Sequence, residues 1–183
     1  MDVSVEFLRE CFDVDTSTGA LVWKMRPISH FCSQKEANRW NSRYAGRPAL
    51  RTVWSNGGLY GEVQYNGKRV HLEAARVVFS LIHGTLPRAW VDHIDGNRGN
   101  NSPSNLREAT PADNAKNQRG WARKRGLKGA YWRGREGKFR ALITADGKRF
   151  ILGDFQNEEQ AHAAYCMAAT KLHGEFSNFG RGQ

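Results

Sequence analysis

Val91-Asp92-His93-Ile94-Asp95-Gly96-Asn97, followed by Asn105-Leu106-Arg107-Glu108-Ala109-Thr110-Pro111-Ala112-Asp113-Asn114, reads as a strand, a polar loop, a second strand and a capped helix. Asp95-Gly96-Asn97 carries turn chemistry, because Asp and Asn side chains bond nearby backbone and Gly tolerates positive φ. Leu106 to Ala109 alternates like a short strand. Thr110 then stands where a helix wants a side-chain cap, with Pro111 in the first turn and Asp113 three residues beyond the cap.

Upstream, Glu62 to Tyr65 and Lys68 to Leu72 flank Asn66-Gly67, the strongest short hairpin signal, since both turn residues accept positive φ. Ala75, Val78, Phe79 and Ile82 recur at helical spacing over Leu72 to His83, and Gly84 sits where such a helix ends. At the N-terminus Val3, Phe7, Leu8, Cys11 and Phe12 share a helical face, and Ala20-Leu21-Val22-Trp23 reads as a short strand. Residues 28–51 are polar and irregular, with Trp40 and Tyr44 as anchors. Downstream, Lys138 to Thr144 and Lys148 to Leu152 flank Asp146-Gly147, a second tight hairpin. Asn157 with Gln160 resembles a capping box ahead of Ala161, Ala164, Tyr165, Ala168, Ala169 and Leu172 at helical spacing. The expected division is residues 1–118, a basic linker at 119–126, and a second domain at 127–183.

The chain of 183 residues has 39% apolar residues, enough for real cores, and a formal net charge of +10. That charge is concentrated: residues 116–150 hold twelve Lys or Arg against only Glu136 and Asp146. Such a segment implies a polyanionic partner, and without a long amphipathic pattern nucleic acid fits better than membrane. Cys11, Cys32 and Cys166 are odd in number and form no CxxC pair, which argues against a disulfide framework or a structural zinc site. The N-terminus carries charges where a signal peptide needs an apolar run, and no window approaches the ~20 apolar residues of a membrane span. A cytoplasmic, membrane-free protein is expected.

Asp92, His93, Asn105 and Asn114 carry the chemistry. A carboxylate and an amide oxygen are hard ligands that leave most sites of an octahedral cation to water and phosphate oxygens, which favours Mg²⁺ or Mn²⁺ over softer ions. An imidazole is available near neutral pH to take a proton from water. Successive strand residues point to opposite sides, so Asp92 and His93 do not compete for one ligand position. Asp95, Asn97, Asn100 and Asn101 are open to two readings, further ligands or turn formers, with turn formation the commoner use of such residues. His71 and His83 flank an apolar helix and read as satisfied histidines, and His30, His162 and His173 have no partner pattern.

At Asp92-His93, Asn105 and Asn114 the chain resembles the HNH endonucleases, particularly phage-type HNH homing endonucleases with a ββα-metal fold. The likeness extends through Tyr65 to Gly84 and Leu8 to Trp23. The resemblance implies that Asp92 and Asn114 ligate one divalent cation, that His93 activates the attacking water and that Asn105 holds the loop. It departs from many relatives at Ala75-Arg76, where they carry His-Arg.

Residues 127–179 resemble the AP2 DNA-binding domain through Gly129, Trp132, Gly137-Lys138-Phe139-Arg140-Ala141, Ile151-Leu152-Gly153-Asp154-Phe155 and His173-Gly174-Glu175-Phe176. The resemblance implies a three-stranded antiparallel sheet packed on one helix, with Arg133, Arg135, Lys138, Arg140 and Arg149 against DNA. Trp132 is open to stacking on DNA or to packing, while Phe150, Leu152, Phe155, Phe176 and Phe179 read as core. The expected fold class is therefore α+β. The expected function is a monomeric endonuclease that nicks double-stranded DNA with one Mg²⁺ or Mn²⁺. The rivals are a DNA-binding regulator with an inactive HNH region and a nuclease directed at RNA.

Overall fold

The computed structural model describes residues 3–117 and 126–180. Of the basic linker expected at 119–126, all but Gly126 lies outside them. The chain divides into two compact units, Met1–Glu108 and Ala109–Gln183.

In the first unit, Ser4 caps α1 (Val5–Cys11) by accepting from the Phe7 N–H. The chain then pairs β1 (Phe12–Val14) with β2 (Leu21–Trp23) in antiparallel register. The segment that looked irregular contains α2 (Gln34–Tyr44), capped by Ser33, whose hydroxyl accepts from the Glu36 N–H. Its neighbourhood explains the order. Arg26, only 4% exposed, stacks on Phe7, Phe31 and Trp40 while donating to His30 and to the Gln64 carbonyl. A buried guanidinium held by aromatic faces and two acceptors ties this segment to the rest of the unit.

β3 (Thr52–Val53), β4 (Leu59–Tyr65) and β5 (Lys68–Glu73) form an antiparallel sheet in that order. Asn66 and Gly67 close the β4–β5 hairpin at φ 49° and 72°, the paired positive values the turn demands. α3 (Ala74–His83) ends at Gly84, whose φ of 71° stops it in the left-handed conformation. Val77 and Val78 are fully buried among Phe7, Leu8, Cys11 and Leu72, each burial contributing about 1.5–3 kcal/mol. Arg76 donates to the carbonyls of Ala89 and Pro87 and so fixes the approach to β6 (Trp90–His93). β6 pairs with β7 (Leu106–Ala109) in a two-stranded sheet.

The second unit begins with α4 (Pro111–Asn117), which the sequence reading grouped with residues 1–118. The reason for its place here includes a buried amide pair, Asn178 Nδ2 donating to Asn117 Oδ1. β8 (Ala130–Arg133), β9 (Lys138–Ala145) and β10 (Lys148–Phe155) form an antiparallel sheet with β9 in the centre, and α5 (Glu158–His173) packs on all three strands. Asp146 and Gly147, at φ 50° and 73°, close the β9–β10 turn. The core is small: Ile143, Tyr165 and Ala169, supported by Leu152, Cys166, Ala168 and Phe179. Gly129 is obligatory in this packing, because a Cβ there would lie 2.1 Å from the Tyr165 ring. Phe150, expected in the core, is 43% exposed near the end of the sheet. Among the described residues, no helix is long and apolar enough to cross a membrane.

Candidate active site

Strand alternation separates the two principal groups of β6. Asp92 points inward and is 6% exposed, whereas His93 is half-buried. A buried carboxylate needs a partner, and Arg107 on the neighbouring strand supplies one. Its Nε and Nη2 donate to Asp92 Oδ2 at 3.2 and 3.0 Å, and its own side chain is 13% exposed. The sequence reading missed Arg107. Its only signal was a cation placed in the strand that follows the loop.

His93 Nε2 lies 3.0 Å from the Oδ1 of Asn101, which is 4% exposed. An amide oxygen only accepts, so Nε2 carries the ring proton and Nδ1 is the basic nitrogen. Asn101 therefore selects the tautomer of His93, a role that neither of its two sequence readings contained.

The loop between the strands is a closed polar network. Asp95 accepts at Oδ1 from the Asn97 N–H (2.7 Å) and from Asn105 Nδ2 (3.0 Å), and at Oδ2 from Asn100 Nδ2 (2.8 Å). Asn105 also donates to the Asn100 carbonyl at 2.8 Å and accepts the Asp95 N–H at 3.0 Å. Asn97 in turn accepts from the Gly99 N–H. Desolvation by burial would raise the Asp95 pKa, but the bonds from Asn100, Asn97 and Asn105 outweigh it and hold the carboxyl below its usual range. These contacts favour turn formation for Asp95, Asn97 and Asn100, and put Asn105 at the centre of the loop. Ser102 ties the loop to the N-terminal region by donating to the Ser17 carbonyl at 2.9 Å. Gly19 makes a closer approach: a Cβ there would stand 1.9 Å from the Asn101 carbonyl oxygen.

Asp92, His93 and Asn105 are thus brought together in the first unit. Asn114 lies on α4 of the second unit, in a helix started by Thr110, whose hydroxyl accepts from the Asp113 N–H. Lys116 and Thr110 both bond the Asp113 carboxylate, which lowers its pKa chiefly through the Thr110 hydroxyl.

The donor chemistry fits a hard divalent cation. Asp92 offers a carboxylate, a hard oxygen donor. No group of three or more His, Cys, Asp or Glu able to hold a metal occurs among the described residues. The fit is to an ion that takes most of its ligands from water and phosphate.

Of the five residues expected to face DNA, four lie on one surface. β9 register puts Arg133 opposite Lys138, Tyr131 opposite Arg140 and Arg149 opposite Thr144, all on the side away from Ala141, Ile143 and Ala145, which are buried. Arg135 is exposed in the turn before β9. Arg140 is held by Asp154 through two bonds of 2.7 and 2.6 Å, and Arg133 by Glu136 at 2.6 Å. The Arg140 bond lowers the Asp154 pKa and raises that of Arg140. Trp132 is 59% exposed and touches Phe139, its ring centroid 4.8 Å away, so it is not a core residue.

Residues 73–116 match the model of a family described as HNH endonuclease. Together with the relatives below, this places the chain in the HNH endonuclease family. Two relatives come from viruses. Protein 3.8 of Escherichia phage T7 is 31% identical over 119 residues, covering 63% of this chain and 93% of that protein. A second relative, an uncharacterized HNH endonuclease L560 of Acanthamoeba polyphaga mimivirus, is 33% identical over 126 residues, or 68% of this chain. The chain spans 64% of that relative's length. A solved structure on DNA binding and cleavage by the HNH homing endonuclease I-HmuI covers 93% of this chain and 90% of its own, at 18% identity and a TM-score of 0.42, a likeness too remote to place any residue.

Proposed function

We propose that this chain hydrolyses a phosphodiester of double-stranded DNA with one Mg²⁺ or Mn²⁺, nicking one strand as a monomer. The observation that carries the reading is the side-by-side placement of a buried carboxylate, Asp92, and a histidine, His93, whose tautomer is held by Asn101. Asp92 would hold the cation through its carboxylate, and the resemblance to the HNH endonucleases implies that Asn114 would supply an amide ligand. When bound, the cation stabilises charge on the phosphate and on the departing 3′ oxygen. His93 Nδ1 takes the proton of the attacking water, leaving a 5′ phosphate and a 3′ hydroxyl. Asn101, as acceptor of the Nε2 proton, favours the neutral tautomer in which Nδ1 is the proton acceptor. Asn105 keeps the loop closed behind His93, acting through Asp95 and Asn100. Arg107 balances the charge of Asp92 and so makes its burial tolerable.

In the C-terminal unit, Arg133, Arg135, Lys138, Arg140 and Arg149 form an AP2-type DNA face. A two- or three-stranded ribbon fits the major groove, and the cations on one side of this sheet match the phosphate charge. This face supplies binding and site preference, while the cut is made by the residues around His93.

Supercoiled plasmid incubated with Mg²⁺ or Mn²⁺ tests the reading. Wild type converts it to open circles, and His93→Ala slows that conversion about 10³-fold, within the range general bases contribute. Intact plasmid with both proteins, alongside retained DNA binding, would instead support a regulator with an inactive site.

A further inference from the structure

The outward face of the β8–β9–β10 sheet carries an apolar step among its charges. Cross-strand pairing sets Ile151 opposite Leu142, between Thr144–Arg149 on one side and Arg140–Asp154 on the other. Ile151 is 62% exposed, yet the next residue, Leu152, packs into the core. Ordinary strand alternation places them so, and a bulge follows: the register passes from Ile151↔Leu142 to Gly153↔Ala141, with Leu152 as the extra residue. Bulges re-aim side chains, and this one sets Asp154 opposite Arg140 on the face that carries Ile151.

We propose that Ile151, backed by Leu142, contacts the C5 methyl of thymine in the major groove, giving the enzyme a preference for thymine at the positions it covers. The inference rests on the reading of this sheet as the DNA face. In that groove thymine presents a methyl group where cytosine presents an amino donor, and an aliphatic side chain discriminates between them. The surrounding cations divide into two sorts. Arg140 and Arg133 are engaged by Asp154 and Glu136, whereas Lys138 and Arg149 carry no ion pair among the described residues. Lys138 and Arg149 therefore serve phosphates, which attract without sequence preference. The apolar pair is left as the part of this face able to tell one base from another.

The test uses the full chain in EDTA, where cutting is suppressed, with two pools of random 20-base-pair duplexes. One contains thymine and the other deoxyuridine, which lacks only the methyl group. Wild type is expected to enrich a site containing thymine, and replacing the critical thymine by deoxyuridine lowers affinity about fourfold, the worth of one buried methyl. Ile151→Ala binds both versions alike, and Ile151→Val restores the difference. Arg149→Ala weakens binding to both pools and reduces the salt slope by about one. Equal binding of the thymine and deoxyuridine sites by wild type, with Arg149→Ala still weakened, overturns the methyl contact and leaves the DNA face standing. Unchanged binding by both Arg149→Ala and Lys138→Ala overturns the two together.

Discussion

The loop of residues 95–105 and the sheet of β8, β9 and β10 both carry dense polar side chains, yet they spend them in opposite ways. In the loop nearly every amide and carboxylate bonds a neighbour: Asp95 accepts from three residues, and Asn105 bonds at both ends of its amide. On the sheet, Lys138 and Arg149 extend from exposed strand positions without ion pairs among the described residues. The difference suits the roles proposed for the two regions. Moving a proton requires nitrogen, water and phosphate aligned to a fraction of an ångström, so the loop must be rigid before substrate arrives. Attracting a polyanion requires only charge on an accessible face, and side chains that adjust to the groove serve it well.

Substitutions that hit the rigid region should therefore cost stability as well as activity. The largest effect is expected at Arg107→Leu, which strands the Asp92 carboxylate in a site with 6% exposure. Loss of about 3 kcal/mol is expected for an uncompensated buried charge, read as a lower melting temperature. Added Mg²⁺ or Mn²⁺ should restore part of it, because a cation at Asp92 replaces the missing guanidinium. If metal raises the melting temperature of wild type and variant equally, Asp92 is not a ligand. Gly19→Ala comes next. Its φ of 71° disfavours a side chain, and the new Cβ would meet the Asn101 carbonyl at 1.9 Å. A cost of about 2 kcal/mol is expected, with faster amide exchange through residues 95–105. Unchanged exchange there would mean that the loop does not depend on the N-terminal region for its shape.

Much of this was legible from local signals. Asn66-Gly67, Asp146-Gly147, Gly84, Thr110 and the Asn157 cap each encode a backbone conformation within a few residues, and each produced the element expected. The parts that stayed hidden depend on residues meeting across strands or from distant segments. Asn101 reaches His93, and Arg107 reaches Asp92, only once the loop closes and β6 pairs with β7. α2 was invisible to periodicity because Ala37 is its only buried residue, although Ser33 three residues before Glu36 is a readable cap signal: Ser33 accepts from the Glu36 N–H, and Glu36 from the Cys32 N–H. The Arg26 cage draws aromatic groups from positions 7, 31 and 40, which no local window contains. In the C-terminal unit, β9 register sets Lys138 and Arg140, both read from the sequence as facing DNA, on the side away from Ala141 and Ile143. In β10 a bulge after Ile151 shifts the register, which a sequence pattern does not reveal.

The smallest expected effect sharpens the comparison from inside the C-terminal unit, where one cation is held as tightly as the loop residues are. Lys128 donates to the Asn178 carbonyl at 2.8 Å and lies over the Tyr165 ring, and burial lowers its pKa from 10.5 to about 8. The folded state therefore binds fewer protons than the unfolded state between those two values, so this group makes stability rise from about pH 8 toward 10.5 and contributes a constant penalty below that range. Two neighbours act the other way: burial raises Cys166 and pushes Tyr165 up to about 12, so both oppose stability as alkaline pH ionises them in the unfolded chain. Comparing wild type with Lys128→Met cancels those contributions. With partial solvent screening, wild type should gain about 1 kcal/mol on the variant between pH 7.5 and 10, measured by urea unfolding at each pH. A difference that stays flat would mean the ammonium escapes to water. Lys128 would then belong with Lys138 and Arg149 among the cations this unit leaves unheld.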